Sequence, residues 1–246
     1  MPVYVTYFFQ LLLILHVLKT GRDRYWIFIL LFIPLIGGVA YLVMEILPEL
    51  TGGVSGQRAM RGMMQLVDPG GDIRECARAW AQSASAENGR RYAQALITAN
   101  RASEALDVLD KARSGFFTND PTLLLLEAQA RFLEEDWAES LKCLEKTRDK
   151  NPEFYSAVGH LLHARALEAS GRIEEAIDEY VEVSGYFPGA EARYRLALAL
   201  EANGETAQAK TELEALISEA ELGPAHFRRE QKHWLKAAKK SLQSLT

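Results

Sequence analysis

Cysteine, catalytic motifs and N-terminal charge are what this sequence has least of. Its two cysteines, Cys76 and Cys143, cannot build a disulfide framework, and neither sits in a C-x-x-C or metal-type spacing. No glycine-rich phosphate loop, nucleophile elbow or His-Glu-x-x-His is present. His160 and His163 stand three residues apart, but no third ligand accompanies them, and packing or partner contact explains them better than a metal does. His226 and His233 are weaker still, and the Glu134–Glu135 and Glu174–Glu175 pairs read as solvated surface. No catalytic, cofactor-binding or metal constellation emerges, so the chain reads as a non-enzyme.

Charge is almost missing from residues 1–50, which hold Lys19, Arg22, Asp23, Arg24, Glu45 and Glu49, for a net of zero. Carboxylates are almost missing from the tail. From Pro224 onward Arg228, Arg229, Lys232, Lys236, Lys239 and Lys240 face only Glu230, a net of +5. With −5 overall, the middle carries −10. The chain therefore has an apolar, an acidic and a basic zone. The acidic middle argues against binding a nucleic-acid backbone.

The apolar zone holds two uncharged runs, Val3 to Leu18 and Tyr25 to Leu47, the second carrying only Glu45. A helix as long as the second run matches the ~30 Å hydrocarbon core of a bilayer, where Pro34 and the glycines after it are tolerated. The first run has no basic residue before it and no small-residue cleavage site after it, which leaves a secretory signal peptide the least favoured reading. These runs predict a transmembrane hairpin over residues 1–50, with helices at about 3–18 and 25–47. One span plus an interfacial helix is the alternative. The protein would then be integral to a bacterial-type inner membrane. The short loop with Lys19, Arg22 and Arg24 favours the non-cytoplasmic side for the rest of the chain, while Arg58 and Arg61 pull the other way.

Within this zone the basic turn followed by "YWIFILLFIPLIGGVAYLV" resembles the N-terminal membrane region of cardiolipin synthases and other phospholipase-D-type proteins. The resemblance implies an anchor module. That family's catalytic His-x-Lys is absent, so it does not imply phospholipid synthesis by this chain.

Residues 51–71 open with "TGGVSG" and read as a linker. Beyond it, four blocks recur: "EALDVLDKA" from 104, "ESLKCLEKT" from 139, "EAIDEYVEV" from 175 and "QAKTELEAL" from 208. Each carries a small residue, a large apolar one four later and a further small or apolar one three later, as in Ala176/Tyr180/Val183. Offsets of four and three keep them on one helix face. Eleven residues upstream of each block runs a second seam through Ala93, Ala128, Ala164 and Ala197. Gly171 and Gly204 fall in the turn between the paired helices, with Asn100 at the corresponding place in the first repeat. A period near 34 with small residues at the crossings resembles the tetratricopeptide repeat.

The predicted fold is all-α: the hairpin, then an α-solenoid over 72–223 with repeats at about 86–119, 121–154, 157–189 and 190–222, then a basic capping helix over 224–246. In such arrays the first helix of each pair lines a groove that binds peptides. The repeat phase nominates Arg90, Gln94, Gln129, Arg165 and Tyr194 for it. Arg228, Arg229 and Lys232 are candidates for contact with anionic lipid or an acidic partner, beside a plain capping role. The function expected is a membrane-anchored scaffold for an unknown protein or peptide. The alternative is an accessory or regulatory subunit of phospholipid metabolism of the cardiolipin type.

Overall fold

The computed structural model describes residues 11–14, 16–17, 25–32, 41 and 70–245. The chain divides into two compact units, Met1–Gly71 and Asp72–Thr246.

The first unit holds helix α1 (Tyr25–Phe32). Val17, Trp26, Leu30 and Tyr41 are buried against one another. Tyr41 Oη lies 3.1 Å from His16 Nδ1, and its ring meets the Trp26 ring edge-on. The two apolar runs thus supply a small mixed core. Among the described residues no helix is long and apolar enough to cross a membrane. The expectation of an integral membrane protein is corrected accordingly. The remaining residues of the predicted hairpin and most of the linker lie outside those described.

The second unit is built from helix pairs. Helix α2 (Gly71–Gln82) precedes α3 (Ala86–Thr98) and α4 (Ala102–Ala112). Then come α5 (Pro121–Leu133) with α6 (Trp137–Lys150), α7 (Ala157–Ala169) with α8 (Ile173–Ser184), and α9 (Glu191–Ala202) with α10 (Thr206–Leu222). From α3 to α10 each helix packs on the next, and α3 also touches α5 and α5 touches α7. That is a helical-repeat solenoid of tetratricopeptide type.

Packing follows the small-residue seam. Ala105, Ser140, Ala176 and Ala209 are fully buried, opposite Ala93, Ala128, Ala164 and Ala197. A methyl or hydroxymethyl group at each crossing lets the helix backbones approach closely. Leu109, Leu144, Tyr180 and Leu213 then fill the space one turn on. Ser140 adds a 2.9 Å hydrogen bond from its hydroxyl to the Ala128 carbonyl. Tyr180 is buried in full, and its hydroxyl donates to Glu168 at 2.5 Å.

One turn geometry closes all four pairs. Asn100, Glu135, Gly171 and Gly204 adopt positive φ, at 58, 61, 81 and 87°. The next residue's N–H reaches back to the helix, from Arg101 to Leu96, Asp136 to Arg131, Arg172 to Leu167 and Glu205 to Leu200, at 2.8–3.0 Å. This is the Schellman closure, for which glycine is the unstrained residue. At the other end, α3, α5 and α7 are capped locally by Ser85, Asp120 and Ser156. Helix α9 starts at Ala190, which has no capping side chain. Its N–H instead donates to Gln231 Oε1 at 3.1 Å.

That bond accounts for a departure at the C-terminus. In place of one capping helix there are two, α11 (Ala225–Glu230) and α12 (Lys232–Ser244), which meet at Gln231. Trp234, Leu235, Ala238 and Leu242 of α12 cover the end of the array against Ala197, Leu213 and Leu216.

Two substitutions test this account of the turns and crossings. Ala176→Leu overpacks a closed crossing and should cost about 1–3 kcal/mol. Gly171→Ala meets no atom within 4 Å yet should still cost about 1 kcal/mol, from backbone strain alone. Urea unfolding of each variant measures both; an unchanged midpoint for Ala176→Leu would contradict the packing.

Candidate functional site

The first helices of successive pairs share one face. Ile97 of α3, Gln129, Phe132 and Leu133 of α5, Val158, Leu161 and Arg165 of α7, and Glu191 of α9 line a cavity of about 380 Å³. Phe187, from the α8–α9 loop, closes one side. Leu133 and Val158 are 40% and 54% exposed there, a concentration of apolar surface beside a cation.

Arg165 is the polar centre of this groove. Its guanidinium lies 4.7 Å above the Phe132 ring. Its nearest carboxylate, Glu191, is 3.8 Å away and is already engaged by Arg195 at 2.8 Å. Arg165 Nε is buried and has no hydrogen-bond partner in the protein. Burial, then the neighbouring Arg195, pulls its pKa below the usual arginine value. The result is a cation-bearing groove in which one charge is under-neutralised and partly desolvated.

The five residues nominated for the groove separate in the structure. Gln129 and Arg165 come together in it. Gln94 is exposed on α3 away from the cavity. Arg90 forms a two-pronged pair with Glu87, both bonds 2.7 Å. It lines another cavity of about 560 Å³ beside the turn Gly115–Phe117, where Phe116 is fully exposed. Tyr194 lies beneath the C-terminal helix, its ring 5.7 Å from Trp234 and its hydroxyl 3.5 Å from Ser241. Of the basic tail residues, Arg228 donates from Nη1 to the carbonyls of Ala220, Glu221 and Gly223, satisfying the end of α10. Arg229 and Lys232 are exposed.

Sequence reasoning missed the apolar members of the groove, Leu133, Val158 and Phe187. Their signal was available: apolar side chains at positions outside the Ala/Leu seam. It also missed a polar junction between the second and third pairs. Arg148 of α6 and His160 and His163 of α7 all approach one carboxylate, Glu179 of α8. Glu179 Oε1 lies 3.2 Å from His163 Nδ1 and 3.6 Å from Arg148, and Oε2 faces His160 Nε2. A carboxylate only accepts, so His160 Nε2 carries the proton between them, and His160 Nδ1 lies within hydrogen-bond reach of the Tyr186 hydroxyl. Hydrogen bonds from His160 and His163 hold the Glu179 pKa far below the usual carboxylate range, against the opposing effect of burial. This pairing occupies both imidazoles. Among the described residues no group of three or more His, Cys, Asp or Glu side chains could hold a metal ion. Cys143 offers no nucleophile either. Burial, then Glu127, pushes its thiol up to about 12.

With fold and groove in hand, the class is a tetratricopeptide-like helical-repeat protein. Residues 80–231 match the family model described as T7SS, ESX-1 secretion system protein EccA1, N-terminal domain, and the chain belongs to that family. Two crystal structures of MamA, a tetratricopeptide-repeat protein, share the fold. Each is 16% identical to this chain, with TM-scores of 0.54 and 0.52. They cover 69% and 73% of this chain and 95% and 93% of their own. No curated protein matches the sequence. None of these relatives indicates a catalytic family or a phospholipase-D-type N-terminal domain. The residues that carried the cardiolipin-synthase resemblance lie mostly outside those described.

The Glu179 junction has a defined pH signature. Its folded pKa is depressed, so its contribution is complete above the ordinary carboxylate pKa of ~4.3 and is lost as pH falls toward the folded value. Glu179→Gln should cost about 1–3 kcal/mol at neutral pH by leaving buried donors unmatched. Its difference from wild type should narrow steadily below about pH 4. The exposed neighbour change Glu182→Gln should stay within about 0.5 kcal/mol. Denaturant unfolding across pH measures all three.

Proposed function

We propose that this protein is an interaction scaffold that holds a segment of a partner protein in the groove between α3, α5, α7 and α9. One observation carries the reading. Arg165 presents a buried, unpaired Nε in a groove lined mostly by apolar side chains, with Gln129 and Glu191 the other polar ones. An unmatched donor in such a place is costly, and a ligand carboxylate would relieve it. Leu133, Val158 and Phe187 supply the apolar contact that a carboxylate alone lacks. The partner segment therefore pairs an acidic residue with apolar neighbours, and Gln129 is placed to hydrogen-bond its backbone. The repeat fold and the family support this reading. The family takes its name from a secretion-system protein, so polypeptides handled by such a system are the first partners to try.

A peptide library panned against the full chain should yield sequences that combine a carboxylate with apolar residues. For a selected peptide, Arg165→Ala should weaken binding by about 30-fold, the scale of a 2 kcal/mol hot spot. Val158→Glu should weaken it comparably, and Gln94→Ala should have no effect. Melting temperatures should stay near wild type. Peptides that bind wild type and both groove variants equally would refute the groove.

A further inference from the structure

Helix α12 divides cleanly by charge. Trp234, Leu235, Ala238 and Leu242 face the array. On the opposite side Lys232, Lys236 and Lys240 recur every fourth residue, all exposed. Among the described residues none of the three is in an ion pair; only Lys239 is, with Glu221 at 3.2 Å. No carboxylate side chain occurs anywhere after Glu230. Like charges at i, i+4 repel along a helix, and a cap that merely solvates itself does better by interleaving signs.

A matching stripe lies elsewhere on the same chain. On α8, Glu174, Asp178 and Glu182 also recur every fourth residue, exposed and in no ion pair among the described residues. Val181, 55% exposed, sits within that stripe. Four residues advance a helix by ~6 Å. Two helices laid side by side would therefore bring all three lysines opposite all three carboxylates in one register. No ion pair joins the two stripes within a single copy.

We propose that copies of this chain associate head to tail, the lysine face of α12 on one copy lying along the acidic face of α8 on the next. The two surfaces differ, so the contact is heterologous and propagates into a chain or closes into a ring. An anionic polymer or surface would neutralise α12 but leave the α8 stripe unmatched; a second copy satisfies both. This association uses neither Arg165 nor Val158, so it stands or falls separately from the peptide groove.

Sedimentation velocity of the full chain should show concentration-dependent association at about 50 mM salt that is lost at about 500 mM, where the screening length is a few ångströms. Lys236→Glu with Lys240→Glu should weaken it at least about tenfold. Glu174→Lys with Asp178→Lys should do the same. Each variant alone sets like charges face to face, whereas an equimolar mixture of the two restores opposite charges at every contact and should associate again. Carbodiimide coupling of light- and heavy-isotope copies should join Lys236 to Asp178 between molecules. Monomer at every salt concentration, association that survives both variants, or a mixture that stays apart would each overturn the proposal. Circular dichroism of both variants should match wild type, so that loss of association is not loss of fold.

Discussion

Close approach of helix backbones at four crossings is the constraint on which the second unit depends. Ala105, Ser140, Ala176 and Ala209 carry so little at Cβ that the pairs can close, and each closes around the same short turn. Once pairs are closed, successive first helices stand side by side, and their outward positions become a continuous groove. Leucine at these four sites would force the pairs apart and remove the groove along with the core. Where one crossing carries a hydroxyl in place of a methyl, the extra polarity is absorbed at once by the Ala128 carbonyl.

The two polar clusters within this frame play opposite parts. Both oxygens of Glu179 are engaged, from the other helix of its own repeat and from one helix of the preceding repeat. It acts as a fastener, and it consumes the imidazoles that might otherwise have offered chemistry. Arg165 is the reverse case. Its ion-pair partner Glu191 is shared with Arg195, and the Phe132 ring stacks on its guanidinium. A satisfied cluster resists change, whereas an unsatisfied one gains from a ligand.

The repeat architecture was legible because a period near 34 presents the same weak signal four times, so that Ala105, Ser140, Ala176 and Ala209 reinforce one another. The groove was half legible. Gln129 and Arg165 follow from repeat phase, but Arg90 and Tyr194 share that phase and are diverted, one by its pairing with Glu87 and the other by the C-terminal helix. Phase says which side of a helix a residue takes, and it is silent on what later chain will cover it. The break at Gln231 was hidden for the same reason, since the backbone amide it serves is 41 residues earlier. Reading a bilayer span from apolar runs failed on a different ground. Among the described residues no helix is long and apolar enough to cross a membrane, and Trp26 and Leu30 are buried against Val17 and Tyr41.

The four turns are alike in geometry but unlike in ease. Gly171 and Gly204 hold their left-handed backbone freely, whereas Glu135 holds it against a side chain and Asn100 only partly escapes that strain. In an array whose stability sums over neighbours, such differences are not averaged away. The strained turns close the first two pairs and the unstrained ones the last two, which α12 covers. The groove spans that divide, with Phe132 and Leu133 in a pair closed by Glu135 and Val158 and Arg165 in a pair closed by Gly171. A ligand seated there therefore bridges two repeats whose turns carry different backbone strain.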